Sequence, residues 1–153
     1  MSPAYRTIHE RVVDILAMDG TRDAKLRAIC YLLRKKVPHY DWVGFYLVDP
    51  ETPRELVLGP FEGAATEHTR IPFGKGICGQ VALSEETLLV QDVTAEENYL
   101  SCGLEVRSEI VVPISKNGTF VAQLDIDSHA TSPFTPDDRL LTEGICALLP
   151  PLF

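Results

Sequence analysis

Apolar residues recur along this chain with two periods, one near 3.6 and one of 2, and the switches between them mark out the elements. Ile8, Val12, Ile15 and Leu16 lie at helical spacing between Pro3, suited to a first turn, and Gly20, so residues 3–18 read as a helix. Thr21 caps a second helix to about Lys36, striped by Leu26, Ile29, Cys30 and Leu33, and Pro38 stops it. The period then drops to two. In residues 41–48, Val43, Phe45 and Leu47 point one way and Trp42, Gly44 and Tyr46 the other. A turn at 49–53 leads to a hairpin partner at 55–59, an irregular loop at 60–69 and a short strand at 70–72. A helix from Ile77 to about Leu83, a strand at 88–90 and a loop or short helical turn at 94–100 follow. Thr135, Pro136 and the acids Asp137 and Asp138 open a last helix whose stripe is Leu140, Leu141, Ile145 and Leu148.

The strongest pattern is the pair of alternating runs at 108–115 and 119–127 around Lys116-Asn117-Gly118. A two-residue Asn-Gly loop would set Ile110 opposite Asp125 and Val112 opposite Gln123, mixing core and polar residues on each face. A three-residue loop with Gly118 in the left-handed conformation pairs Ser115 with Thr119 and gathers Ile110, Val112, Ile114, Leu124, Ala122 and Phe120 on one face. We expect that register. It places Val111 beside Gln123, Glu109 beside Asp125 and Arg107 beside Asp127. The element order predicts an α+β fold: a central antiparallel sheet flanked by helices, with the terminal helices packed together on one side.

Composition narrows what such a domain does. One domain is expected to fill residues 1–153, with 45% hydrophobic content. Lys and Arg number 14 against 22 acids, a net charge of −8, which argues against nucleic acid. No apolar run approaches the ~20 residues that span a bilayer, and no signal-peptide pattern opens the chain, so a cytoplasmic location away from membranes is expected. Four cysteines in that setting are expected to be reduced, buried or catalytic. No His/Cys cluster has metal-ligand spacing, so neither a metal nor another cofactor is expected.

The candidate chemistry lies on the polar face of the central hairpin. Opposed like charges destabilise a sheet, so Glu109, Asp125 and Asp127 among Val111, Val121 and Pro113 suggest a pocket for a cationic group, or one acid kept protonated. A solvated outer face is the plainer alternative. Cys102, followed by Gly103 in a polar irregular stretch, suits a reactive thiol better than a core residue. Cys78 falls in the first turn of its helix, where backbone N–H groups favour a thiolate, although packing accounts for it equally well. Cys30 reads as core and Cys146 as semi-buried and inert. Gly44 leaves a gap between Trp42 and Tyr46, as a close-fitting ligand would need; these rings suit a sulfur-bearing chain and an ammonium.

These blocks carry a resemblance. DWVGFYL (41–47), LVLGPFEG (56–63), RIPFGKGICG (70–79), SEIVVPI (108–114), LDIDS (124–128) and FTPDD (134–138) are similar to GAF domains over nearly the whole chain. Within them they resemble the free methionine-(R)-sulfoxide reductases. The resemblance implies reduction of free methionine sulfoxide, with Trp42 and Tyr46 as the wall for the methionine chain. Glu109, Asp125 and Asp127 would bind the amine and assist at the sulfoxide. Cys102 matches the family's sulfenic-acid-forming nucleophile and Cys78 a second family cysteine. A thioredoxin-type reductant and a homodimer are the implied partners, with no cofactor. One position departs: His68 stands where the family often carries the cysteine that resolves the sulfenic acid. The alternative from another class is a stand-alone GAF module that binds a small ligand and regulates a partner. A dimerisation unit built on helices 3–18 and 136–149 is a third.

Overall fold

The computed structural model describes residues 1–100 and 105–153. Two helices come first, α1 (Pro3–Ala17) and α2 (Arg22–Lys36). Ser2 caps α1 through a bond from Tyr5 N–H, and Thr21 caps α2 by accepting from Ala24 N–H. The strands β1 (Trp42–Asp49), β2 (Thr52–Glu62) and β3 (Arg70–Pro72) follow. The helix α3 (Gly76–Ser84) leads to β4 (Leu88–Val90), and the hairpin β5 (Ser108–Lys116) and β6 (Thr119–Ser128) precedes α4 (Pro136–Leu148). The strands form one antiparallel sheet in the order β3-β2-β1-β6-β5-β4. This is the expected α+β layout. β2 runs three residues further than its alternation suggests, through Pro60, Phe61 and Glu62.

Alternation divides the sheet into two apolar layers. Val43, Phe45 and Leu47 of β1, Ile110, Val112 and Ile114 of β5, and Ala122, Leu124 and Ile126 of β6 face α1, α2 and α4. The terminal helices pack against each other there, with His9 of α1 alongside Gly144 of α4. Trp42, Tyr46, Leu56, Val111 and Phe120 face the other way, under α3. Cys30 belongs to the first layer, as expected, and Cys146 joins it, more deeply buried than the half-buried place expected for it; burial pushes both thiols well above their ordinary range. Asp138 of α4 is buried beneath this layer's edge. It accepts hydrogen bonds from the hydroxyls of Tyr5 and Tyr40, both at 2.7 Å, from His39 Nε2 at 3.0 Å and from Thr135 N–H at 2.8 Å. It thereby ties α1, the approach to β1, and α4 together.

The register of the central hairpin differs from the expected one. Lys116 pairs with Thr119, so the turn is the two-residue Asn117-Gly118 loop, both residues in the left-handed region at φ 53° and 78°. The mixing of faces that such a turn would cause is undone one step later. A bulge at Val121 lets Ser115 pair with Phe120 and Ile114 with Ala122. Beyond it Val112 lies opposite Leu124, Ile110 opposite Ile126, Val111 opposite Asp125 and Glu109 opposite Asp127. The faces are as expected and the partners are shifted by two residues. Phe120, below the bulge, joins the α3 layer and not the core face expected for it.

Candidate active site

The polar residues of the hairpin face α3, and they are buried, not a solvated outer face. On β1 and β6, Trp42 pairs with Asp127, Gly44 with Asp125 and Tyr46 with Gln123, so the aromatic pair and the acids share one side of the sheet. Glu109 of β5 lies beside Asp127 and diagonal to Asp125. Their exposures are 3% for Glu109, 0% for Asp125 and 1% for Asp127.

The helix α3 crosses this face and delivers Cys78 onto the acids. The Cys78 thiol lies 3.4 Å from Asp125 Oδ2 and 3.9 Å from Glu109 Oε2. Gln123, entirely buried, pins the helix by donating from Nε2 to the Cys78 carbonyl at 3.1 Å. Burial pushes the Asp125 carboxyl above its ordinary value, and hydrogen bonds from Glu109 and Cys78 pull it part of the way back. A raised pKa favours the protonated form of Asp125, which lessens its repulsion with Glu109. Asp125 Oδ1 and Gln123 Oε1 find no hydrogen-bond partner among the described residues. The cluster holds more acceptors than donors.

The aromatic wall differs from its expected form. No gap is left above Gly44, because the Trp42 indole lies flat across it: a Cβ at Gly44 would come within 2.6 Å of Trp42 Cζ3 and 2.8 Å of Phe61 Cβ. The indole stacks on Phe61 at 5.5 Å and on Tyr46 at 6.4 Å, and its Nε1–H donates to the Ala64 carbonyl at 2.9 Å. The Tyr46 hydroxyl donates to the His68 carbonyl at 2.8 Å, which sets position 68 at the rim of this wall.

A second segment covers the site. Asn98 Oδ1 accepts from Gly76 N–H at 2.9 Å, capping α3, while its Nδ2 donates to the Gly74 carbonyl at 2.8 Å. Gln80 Nε2 adds a bond to the Asn98 carbonyl at 3.1 Å. Leu100 rests on Gly76, and the space left between Leu100, Cys78 and Glu109 is about 10 Å³, room for one water at most. Neither Asn98 nor Gln123 stands out in the sequence. A lone amide in a loop, or one on a polar strand face, carries no local signal until its partners are known. The reactive thiol expected at Cys102 falls at a position outside the described residues. A larger hollow of about 550 Å³, lined by Val112, Ile114 and Cys146, opens on the α4 side, away from the acids.

Comparison with known proteins agrees with this architecture. The GAF domain model matches residues 21–149. GAF domain-containing protein A of Dictyostelium discoideum is 36% identical over 140 residues, covering 91% of this chain and 86% of that protein. The free methionine-R-sulfoxide reductase of Escherichia coli is 36% identical over 135 residues, covering 88% of this chain and 79% of its own. Among solved structures, free methionine-R-sulfoxide reductase from Neisseria meningitidis in complex with its substrate superposes with a TM-score of 0.92 at 35% identity. That superposition covers 100% of this chain and 91% of the other.

Proposed function

The chain belongs to the GAF domain family, and from that premise we propose that it reduces free L-methionine-(R)-sulfoxide to methionine by thiol chemistry. The observation that carries this reading is the buried carboxyls of Asp125 and Glu109 beside the Cys78 thiol, on the face walled by Trp42 and Tyr46. An α-ammonium is the donor-rich group that an acceptor-rich site lacks, and stacked rings suit a methylthio chain. The relatives named for this activity support the assignment.

In the proposed reaction the Cys102 thiolate bonds to the sulfoxide sulfur while a carboxyl proton of the Glu109, Asp125 and Asp127 set goes to the departing oxygen. Methionine is released, the oxygen ends on Cys102 as a sulfenic acid, and two electrons have passed from the cysteine to the substrate. A second thiol condenses with the sulfenic acid and expels water. A thioredoxin-type dithiol then reduces the disulfide by exchange. With His68 at the position of the usual resolving cysteine, Cys78 takes that role. Leu100 supports this: it packs on Gly76, and in the sequence Cys102 and Cys78 each follow two positions later. We also propose that residues 1–153 act as one cytoplasmic domain and pair as a homodimer that covers the exposed Val13 of α1 and Leu140 of α4.

The closed site, with about 10 Å³ beside Cys78, favours a second reading in which the domain binds a small ligand and regulates a partner without turnover. A thioredoxin-coupled assay on the separate epimers of free methionine sulfoxide decides. Turnover of the R epimer alone, lost in Cys102→Ser, is expected. Binding without turnover, with thioredoxin and with small dithiols alike, would overturn the enzyme in favour of the binding module.

A further inference from the structure

We propose that Cys78, Glu109 and Asp125 form a site for a borderline divalent cation of the Zn²⁺ type, and that the ion excludes methionine sulfoxide. The first observation is the donor set. One thiol and two carboxylates, all buried, offer ligand atoms within 4.8 Å of one another. Bonds of about 2.3 Å to sulfur and about 2.0 Å to oxygen at a tetrahedral angle set sulfur and oxygen about 3.5 Å apart. Cys78 Sγ lies 3.4 Å from Asp125 Oδ2 and 3.9 Å from Glu109 Oε2, so the ligands stand nearly where such an ion needs them.

The second observation is a shortage of donors on the same face, which extends beyond the donor set to Gln123. Asp125 is wholly buried and its Oδ1 has no partner among the described residues, and neither has Oε1 of the buried Gln123 two residues along the same face. Buried acceptors without donors are met by a cation. A thiolate with carboxylates suits Zn²⁺ over Mg²⁺ or Ca²⁺, which prefer oxygen alone. Three protein ligands leave one position for water. Binding releases the thiol proton, since the thiolate is the ligand. The helix holding Cys78 is already fixed by Gln123 and by Asn98, so the ligands require no refolding of the sheet.

The inhibitory half of this inference rests on the reductase reading; the binding half does not. Metal-free, reduced full-length protein is titrated with Zn²⁺ against a chromophoric chelator, and separately with Co²⁺, followed by near-ultraviolet thiolate-to-cobalt charge transfer. One equivalent of Zn²⁺ and a charge-transfer band are expected. Cys78→Ser should lose the band, Cys30→Ser and Cys146→Ser should keep it. Glu109→Gln should weaken Zn²⁺ by more than the ~10-fold that outer-sphere changes bring. Circular dichroism melts establish that each variant is folded. Where Cys78→Ser fails to fold, the Glu109→Gln titration decides, and unchanged Zn²⁺ affinity in that variant overturns the site. In turnover, Zn²⁺ should raise KM for the sulfoxide and, by holding Cys78 away from the sulfenic acid, lower kcat as well. No band, or a band that survives in Cys78→Ser, overturns the site. If the band depends on Cys78 while the metal-free protein reduces no sulfoxide, the site stands and the reductase reading falls. If the sulfoxide is reduced and no band forms, the reverse holds.

Discussion

Gly44→Ala tests the claim that this glycine exists for the Trp42 indole. The added methyl would sit within 2.6 Å of Trp42 Cζ3 and 2.8 Å of Phe61 Cβ, both inside contact distance, so the ring must move. Overpacking of that kind costs about 1–3 kcal/mol. A displaced indole also loses its bond to the Ala64 carbonyl, about 0.5–1.5 kcal/mol, and part of its stacking on Phe61 and Tyr46, of similar size. Removing a glycine returns about 0.4–1 kcal/mol through the unfolded chain. The net effect is centred near ~3 kcal/mol of lost stability. Trp42 is the only tryptophan of the chain, so its fluorescence reports on this position alone. Urea titration should show a lower midpoint, and the native variant should emit at longer wavelength. KM for methionine sulfoxide should rise more than kcat falls, since the wall is displaced and the thiols are not. Unchanged stability and unchanged native emission would refute the packing argument, whatever happens to turnover.

Mass spectrometry after one equivalent of substrate should find Cys78 linked to Cys102; a trapped sulfenic acid without that crosslink would remove Cys78 as the resolving thiol, and His68→Cys should then restore thioredoxin-dependent turnover. Asp125→Asn keeps shape but deletes charge, so it should weaken substrate binding by about 1–3 kcal/mol, measured by calorimetry on the Cys102→Ser background; equal affinity would detach the acids from the substrate amine. Asp138→Asn should cost about 2–4 kcal/mol at neutral pH, because an amide cannot accept from Tyr5, Tyr40, His39 and Thr135 together. Burial would raise the Asp138 carboxyl, but those bonds outweigh it and hold it below its ordinary value. Its contribution is therefore present above the ordinary aspartate pKa of about 3.9 and lost as pH falls through the lower folded value, so urea midpoints of wild type and variant should converge in acid. A gap that stayed constant from neutral pH into acid would refute the assignment.

Which residues share a face was legible in the sequence wherever period two runs unbroken, and Phe120, on the far side of the bulge, is the residue it misplaces. Val43, Phe45 and Leu47 and the Ile110, Val112 and Ile114 set stand where alternation puts them. Which residues are neighbours across strands was not. Unbroken alternation disfavours the Asn117-Gly118 turn because it mixes the faces, and the bulge at Val121 that makes it compatible has no marker in a run of ordinary strand residues. The gap at Gly44 failed for a related reason: spacing shows that a side chain is missing, but not which neighbour lies in the space. Asp138 was readable as an N-terminal helix acid three residues after Thr135; its bonds to Tyr5 and Tyr40 span 133 and 98 residues and belong to the tertiary fold.

The same division explains how a buried acid cluster persists in a small sheet. Charges that repel across β5 and β6 act on the face opposite the main core, while Ile110, Val112, Leu124 and Ile126 on the same two strands fasten that hairpin to α1, α2 and α4. Burial pushes the Asp125 carboxyl above its ordinary value, which lessens its repulsion with Glu109, and the Cys78 thiol lies 3.4 Å from its Oδ2. Among the described residues, what covers them is one nine-residue helix and a loop held to it by Asn98 and Gln80. Opening such a cover breaks a few side-chain bonds, each worth about 1 kcal/mol, and leaves the core layer untouched. Among the described residues this loop lies over Cys78, so Asn98→Ala, which removes two of those bonds, should speed modification of Cys78 by a small alkylating reagent. An unchanged alkylation rate with intact fold would mean that the cover opens elsewhere.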